Sequence, residues 1–254
     1  MIGIGRFLAA ALLSACSLPS AGLAAETWAI VVGIDQYPFG GSLDGAVKDA
    51  EDVYRAIRQA GFTNAVKFTN GEARKDDIRQ AWAEVVAKAT PGDTIIFTYA
   101  GHGAQMPELV AGEEEDGLDE FLQLPGFDQV HPGQTFKEII VDNELNSWFA
   151  EAEGKGVHVL FVSDSCFSGG MSRSISGKTR LAPAVKVKLQ APSQEAVAGA
   201  SLKDIGFKQV TVLAASLESQ PTPEVIIDGE PRGALSWSFA RAIEGGRTAT
   251  ATAR

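Results

Sequence analysis

Two side chains in this sequence carry the chemistry of a nucleophile and a proton acceptor. Cys166, in VSDSCFSGG, and His102, in TYAGHG, each stand among small residues just past a short apolar run. A thiol attacks a carbonyl only as its thiolate, so an imidazole that takes the thiol proton and later hands it to a leaving amine would make the pair competent for acyl transfer. The oxyanion that develops needs donors. The backbone N–H groups of Cys166 and Gly103 are the natural ones, because a glycine lets substrate come close. Taken singly, Cys166 reads as a core thiol and His102 as a turn residue. Their joint placement past two strand ends favours chemistry. No G-x-S-x-G elbow surrounds Ser163, Ser165 or Ser168, which removes a serine hydrolase.

The elements that must hold these residues follow from hydrophobic pattern. Residues 157–162 form a near-continuous β-branched and apolar run, the mark of a strand buried on both faces, and residues 93–100 form another. Residues 27–34 and 209–215 read the same way, with a shorter strand at 64–70 and others at 138–141 and 224–228. Helical spacing places amphipathic helices from Asp44 to Gly61, over 75–89, from Asp142 to about Glu153, and over 233–244. Strand and helix alternate, so the fold class is α/β, with a mostly parallel central sheet of about six strands and helices on both faces. In such sheets ligands meet the carboxyl ends of the strands. A right-handed crossover through the helix that starts at Asp142 would set the His and Cys strands side by side or one apart.

The blocks TYAGHG and SDSCFSGG, in that order with a helix between, resemble the His and Cys blocks of caspase-like cysteine peptidases, and more closely those of the metacaspase branch. The resemblance spans roughly residues 27–245. It departs at Phe167, where eukaryotic metacaspases usually carry a second His. It implies a caspase-like fold, a His102–Cys166 dyad and cleavage of peptides after Arg or Lys. On the same resemblance Asp164 and Asp49 match the acids of the primary pocket, which would pair with a basic side chain. A catalytically silent caspase-fold module that binds a partner through the same cleft is the competing reading. Retention of both His102 and Cys166 argues against it, since a binding module needs neither.

The chain has 254 residues, enough for one domain with a full core and short for two, and a formal charge of -10. That balance argues against nucleic acid and anionic membrane surfaces as partners. Residues 1–25 read as a targeting segment: Arg6 supplies the positive start, residues 7–13 a short apolar core, and small residues a cleavage site. Leu13-Ser14-Ala15-Cys16 resembles a bacterial lipobox, so Cys16 is either removed with the leader or lipidated as an anchor. Both outcomes put the mature protein outside the cytoplasm. Cys16 and Cys166 are the only cysteines, which leaves one free thiol in an oxidising compartment. The peptidase domain would then cover residues 26–245, with a tail at 246–254.

Two stretches lack a regular period. Residues 106–135 contain GEEEDGLDEFL, whose crowded carboxylates fit either a solvated loop or a hard cation. No cofactor is required by the dyad chemistry. Metacaspases are often calcium-activated, however, and Asp142-Asn143-Glu144 resembles their ligand segment with Asn143 in place of an acid. Asp119, Asp142 and Asn143 are therefore the metal candidates. Residues 168–206, rich in Ser, Gly, Ala, Pro and Lys, read as an exposed, mobile insertion. The resemblance makes this the linker where self-cleavage after a basic residue occurs. Arg180, between Gly177 and Leu181-Ala182-Pro183, is the preferred site because its neighbours favour an extended chain.

Overall fold

The computed structural model describes residues 25–166, 178–186, 189, 206–215 and 222–252. The leader with Cys16, Phe167, the start and most of the second half of the 168–206 insertion, and the last residues of the tail lie outside the described residues. Ten strands and four α-helices follow in chain order: β1 (Thr27–Gly33), α1 (Ala46–Gln59), β2 (Asn64–Thr69), α2 (Lys75–Lys88), β3 (Thr94–Ala100), β4 (Gly103–Pro107), β5 (Leu118–Gln123), β6 (Ile139–Val141), α3 (Asp142–Gly154), β7 (His158–Asp164), β8 (Val210–Ala214), β9 (Val225–Ile227), β10 (Glu230–Arg232) and α4 (Ala234–Thr252).

The central sheet runs β2-β1-β3-β7-β8, all parallel, with β3 and β7 side by side. Alternation along β1 shows how both faces are filled. Ala29 and Val31 meet Ala50, Val53, Ala56 and Ile57 of α1, whereas Ile30 and Val32 join Ile78 and Trp82 of α2 and Leu145 and Phe149 of α3. Helix α4 packs on the α1 side through Ala240. A side chain at Gly33 would run into the Ala46 carbonyl, so glycine there lets the start of α1 close onto the end of β1. The Asp35 carboxylate then receives the otherwise open Ala46 N–H at 2.8 Å. Lys75 and Glu144, paired at 2.6 Å, tie α2 to α3.

Two features depart from the sequence expectation. Five strands, not about six, make the main sheet among the described residues, because β9 pairs antiparallel with β10 as a separate hairpin. The stretch expected to be irregular contains β5, the middle strand of a second, antiparallel sheet β4-β5-β6. Its Asp119 and Glu120 are buried, which contradicts the assumption that crowded acids stay in water. This small sheet turns Leu122 and Ile140 to the main core, and Ala104, Met106, Phe121, Ile139 and Val141 to a second apolar cluster.

Candidate active site

In the β3–β7 pair Ala100 stands opposite Asp164, so the His102 and Cys166 loops leave the sheet at one level. Three hydrogen bonds hold the His102 backbone. Its N–H donates to the Tyr37 hydroxyl at 2.8 Å, and its carbonyl accepts from the Tyr99 hydroxyl at 2.7 Å and the Gln123 N–H at 2.9 Å. Gly101 has to be small here, because a Cβ would lie 2.6 Å from the Tyr37 hydroxyl and 2.7 Å from that of Tyr99. The imidazole packs on the Tyr37 ring, with centroids 4.5 Å apart, and its Nε2 lies 2.6 Å from the Gly41 carbonyl. A carbonyl oxygen can only accept, so Nε2 carries the proton and Nδ1 presents a lone pair. Nδ1 is buried and has no hydrogen-bond partner among the described residues. Burial lowers the His102 pKa, and the Gly41 and Arg180 backbones act against that.

Cys166 is fully buried, and its Sγ accepts a hydrogen bond from the Thr222 N–H. Burial raises the thiol pKa, and the Thr222 contacts oppose the rise. Both shifts favour the neutral form of the group concerned.

Where the 168–206 insertion crosses this site, Arg180, Ala182 and Val185 are buried, which corrects the sequence expectation of an exposed stretch, while Lys178, Pro183 and Lys186 stay exposed as expected. Lys178 to Arg180 pair antiparallel with the chain after Thr222: Arg180 N–H donates to the Thr222 carbonyl at 3.0 Å, and Glu224 N–H to the Lys178 carbonyl at 3.0 Å. The Arg180 carbonyl accepts from Gly103 N–H at 3.1 Å and from Cys166 N–H at 3.4 Å. Beyond it, Ala182 N–H donates to the Gly103 carbonyl at 3.0 Å and Val185 N–H to the Gln105 carbonyl at 2.9 Å. The segment is ordered because its backbone completes open strand edges on both sides of Arg180 and its side chains fill prepared space.

For Arg180 that space is a closed pocket of acids. The guanidinium pairs with the Asp49 carboxylate and, at 3.0 Å, with that of Asp164; its Nη1 also donates to the Asp164 carbonyl at 3.0 Å, and Glu224 lies 3.7 Å away. Arg180, Asp49 and Asp164 are all 0% exposed. Burial opposes the charge on Arg180, and Asp164 and Asp49 more than restore it. Burial pushes Asp49 up to about 7 even though Arg180 pulls it down. Open N–H groups at the start of α4 brace the acids: Gly233 donates to Asp49 at 2.9 Å and Ser236 to Asp164 at 2.8 Å. A Cβ at Gly233 would collide with the Asp164 carboxylate and the Arg180 guanidinium. Glu224 is fixed by N–H groups of Asp44 and Gly45, at 3.0 and 2.8 Å.

The structure therefore brings His102, Gly103, Cys166, Asp49 and Asp164 together around Arg180. Sequence reasoning missed Gly41, Thr222 and Gly233, which contribute backbone atoms or a missing side chain, and Glu224, which no local pattern ties to the pocket. The metal candidates lie elsewhere. Burial, and then repulsion by Asp119, pushes Asp142 up to about 8, and burial, with repulsion by Glu114 and Glu113, pushes Asp119 up to about 6. Asp119 Oδ1 and Asp142 Oδ2 accept no hydrogen bond, while Asn143 Nδ2 donates to Glu113 at 2.9 Å. Among the described residues no group of three or more His, Cys, Asp or Glu side chains is arranged to hold a metal ion. The chemistry below passes no step through a cation.

The metacaspase, peptidase C14 domain, family matches residues 28–173. The chain is 26% identical over 257 residues to Metacaspase-1A of Aspergillus clavatus, an alignment that covers 85% of this chain and 58% of that protein. It is 28% identical over 150 residues to Metacaspase-1 of Pyricularia oryzae, covering 56% of this chain and 36% of the relative. The chain thus spans 58% of the first curated relative and 36% of the second, less than two thirds of either. Its fold is similar to that of a solved protein from Geobacter sulfurreducens, with a TM-score of 0.62, 21% identity, and coverage of 87% of this chain and 83% of the other.

Proposed function

From a chain that belongs to the metacaspase family of peptidase C14, we propose a cysteine endopeptidase that cuts after Arg or Lys, outside the cytoplasm, and that cuts itself between Arg180 and Leu181. One observation carries this reading: the Arg180 carbonyl accepts from Gly103 and Cys166 N–H while its guanidinium fills the Asp49–Asp164 pocket. That is the pose of a substrate whose scissile carbonyl already sits in an oxyanion hole.

The chemistry follows from the same contacts. His102 Nδ1 takes the thiol proton as Sγ attacks the Arg180 carbonyl carbon, and the charge that moves onto oxygen meets the two N–H donors. The tetrahedral intermediate collapses by breaking the bond to Leu181 nitrogen, which takes the proton from His102. Water then hydrolyses the Arg180 thioester with His102 as base, restoring the thiol. Because burial raises the thiol pKa and lowers that of the imidazole, proton transfer accompanies attack instead of preceding it. The Gly41 carbonyl holds the ring in the tautomer that this needs.

The complete enclosure of Arg180 also favours a second reading, in which residues 178–186 plug the cleft uncut and leave a silent binding module. Intact-mass analysis of wild type and Cys166→Ala separates the two. Fragments that split after Arg180 in the wild type alone support the peptidase. A wild-type chain that stays whole and hydrolyses no Arg or Lys peptide supports the plug.

A further inference from the structure

The apolar face of the β4-β5-β6 sheet is covered by the chain that follows Arg180. Ala182, Val185 and Leu189 are buried against Ala104, Met106, Phe121, Phe127, Phe136, Ile139 and Val141. Pro183 and Lys186, between them, face solvent. Leu181 pairs in parallel with Gly103 at the free edge of β4, and the next donor onto that edge is Val185, past Pro183, which has no N–H to give. The segment is thus an added strand: main-chain bonds hold it, and alternate side chains drop into an apolar surface.

Resting on the proposed peptidase function, we infer that this face is a substrate subsite, binding the part of a polypeptide that follows the scissile bond and selecting apolar side chains two and five residues beyond the cut. The occupant is an extended peptide, because the bonding atoms on β4 are the backbone groups of Gly103 and Gln105 and the seated segment uses backbone partners. Small size is favoured at the second position, where Ala182 meets Ala104 and Met106, and a branched aliphatic at the fifth. A charged side chain at either position would give up its hydration on entering this buried apolar cluster.

The test uses the full-length protein and three substrates: an arginine amide of a fluorophore, which has nothing beyond the cut, an internally quenched peptide with the sequence of residues 179–185, and the same peptide carrying Ala182→Asn and Val185→Asn. The tethered segment competes with all three alike, so ratios are read. Turnover of the arginine amide together with a kcat/KM for the parent peptide at least about tenfold above that of the double variant, about 1.4 kcal/mol, supports the subsite. Equal values for the two peptides while the amide is turned over overturn the subsite and leave the peptidase standing. A protein that hydrolyses none of the three overturns the peptidase reading and the subsite with it.

Discussion

Arg180 and Asp49 form an ion pair from which water is wholly excluded, since both side chains are 0% exposed. Breaking such a pair from one side leaves a buried charge without a partner, which typically costs about 3–5 kcal/mol. Arg180→Ala should therefore give a chain that stays in one piece and unfolds at lower denaturant than the Cys166→Ala chain. Arg180→Lys keeps the charge and loses the planar fork that reaches Asp49 and Asp164 together, so self-cleavage should persist at a reduced rate. Equilibrium unfolding and intact mass check both outcomes.

Cys166→Ala and His102→Ala should each remove hydrolysis, with the histidine variant losing on the order of 10²–10⁴ in rate. Both residues lie in loops past strand ends, so melting temperatures should stay within a few degrees of wild type. Fluorogenic Arg peptides and thermal scans read the two effects separately.

Asp49 supplies a pH dependence with a defined sign. Its carboxyl is raised to about 7 by burial, so below that pH it turns neutral and attracts a cationic side chain less. Arg180 lowers this value while it occupies the pocket. KM for Arg peptides should thus climb as pH falls through about 7, and Asp49→Asn should flatten that climb while raising KM at every pH. Measuring KM and kcat separately keeps this effect apart from titration of the thiol and imidazole.

Gly233→Ala places a methyl group against Asp164 and the bound guanidinium. Cleavage after Arg should drop by about tenfold or more, mainly through KM, and the chain should unfold at lower denaturant, because the methyl also displaces the buried Arg180–Asp164 pair. A KM equal to wild type would mean that basic side chains enter somewhere else.

Asp142 predicts a stability change instead of a catalytic one. Its folded pKa of about 8 lies above the usual carboxylate value, chiefly through burial, so the native state keeps a proton that the unfolded chain releases. Stability is full at acid pH, declines as pH rises past the unfolded value, and is lowest above about 8. Asp142→Asn should raise the melting temperature by several degrees at alkaline pH and change it little at pH 4. The neutral amide oxygen can still accept the Asn143 N–H that Asp142 receives at 3.0 Å.

Much of the framework was legible because burial leaves a periodic trace. The strands β1, β3 and β7 read as unbroken apolar runs, and α1, α2 and α3 from 3.6-residue spacing, with ends off by one or two residues. Strand β5 was hidden because its Asp119 and Glu120 are acids in buried positions, the reverse of the usual pattern. In the site, His102, Gly103 and Cys166 stood out by residue type at strand ends. Asp49 and Asp164 were reached only through family resemblance, since an acid on a helix and an acid in a turn have ordinary solvated explanations. Glu224 and Thr222 reach the cleft from beyond the insertion, a distance over which no spacing rule operates. The burial of Arg180, Ala182 and Val185 was missed because their place is set by tertiary partners, β4 and the chain after Thr222, and composition alone marked the stretch as loop.

The pairing of β3 with β7, Ala100 opposite Asp164, works as a fixed ruler for the reaction. Sliding one strand past the other by a single residue would displace Cys166 from His102 by about 3.3 Å, more than any hydrogen bond can absorb. The separation of the reacting groups therefore belongs to the sheet, and the long excursion between the two strands has no say in it. Extra residues can accumulate in the loops that join β4 to β5 and β5 to β6 without retuning the chemistry, whereas one residue added or lost between Val159 and Cys166 would throw it out of gauge. Lineages of this chain should vary in length in the former places and hold constant in the latter.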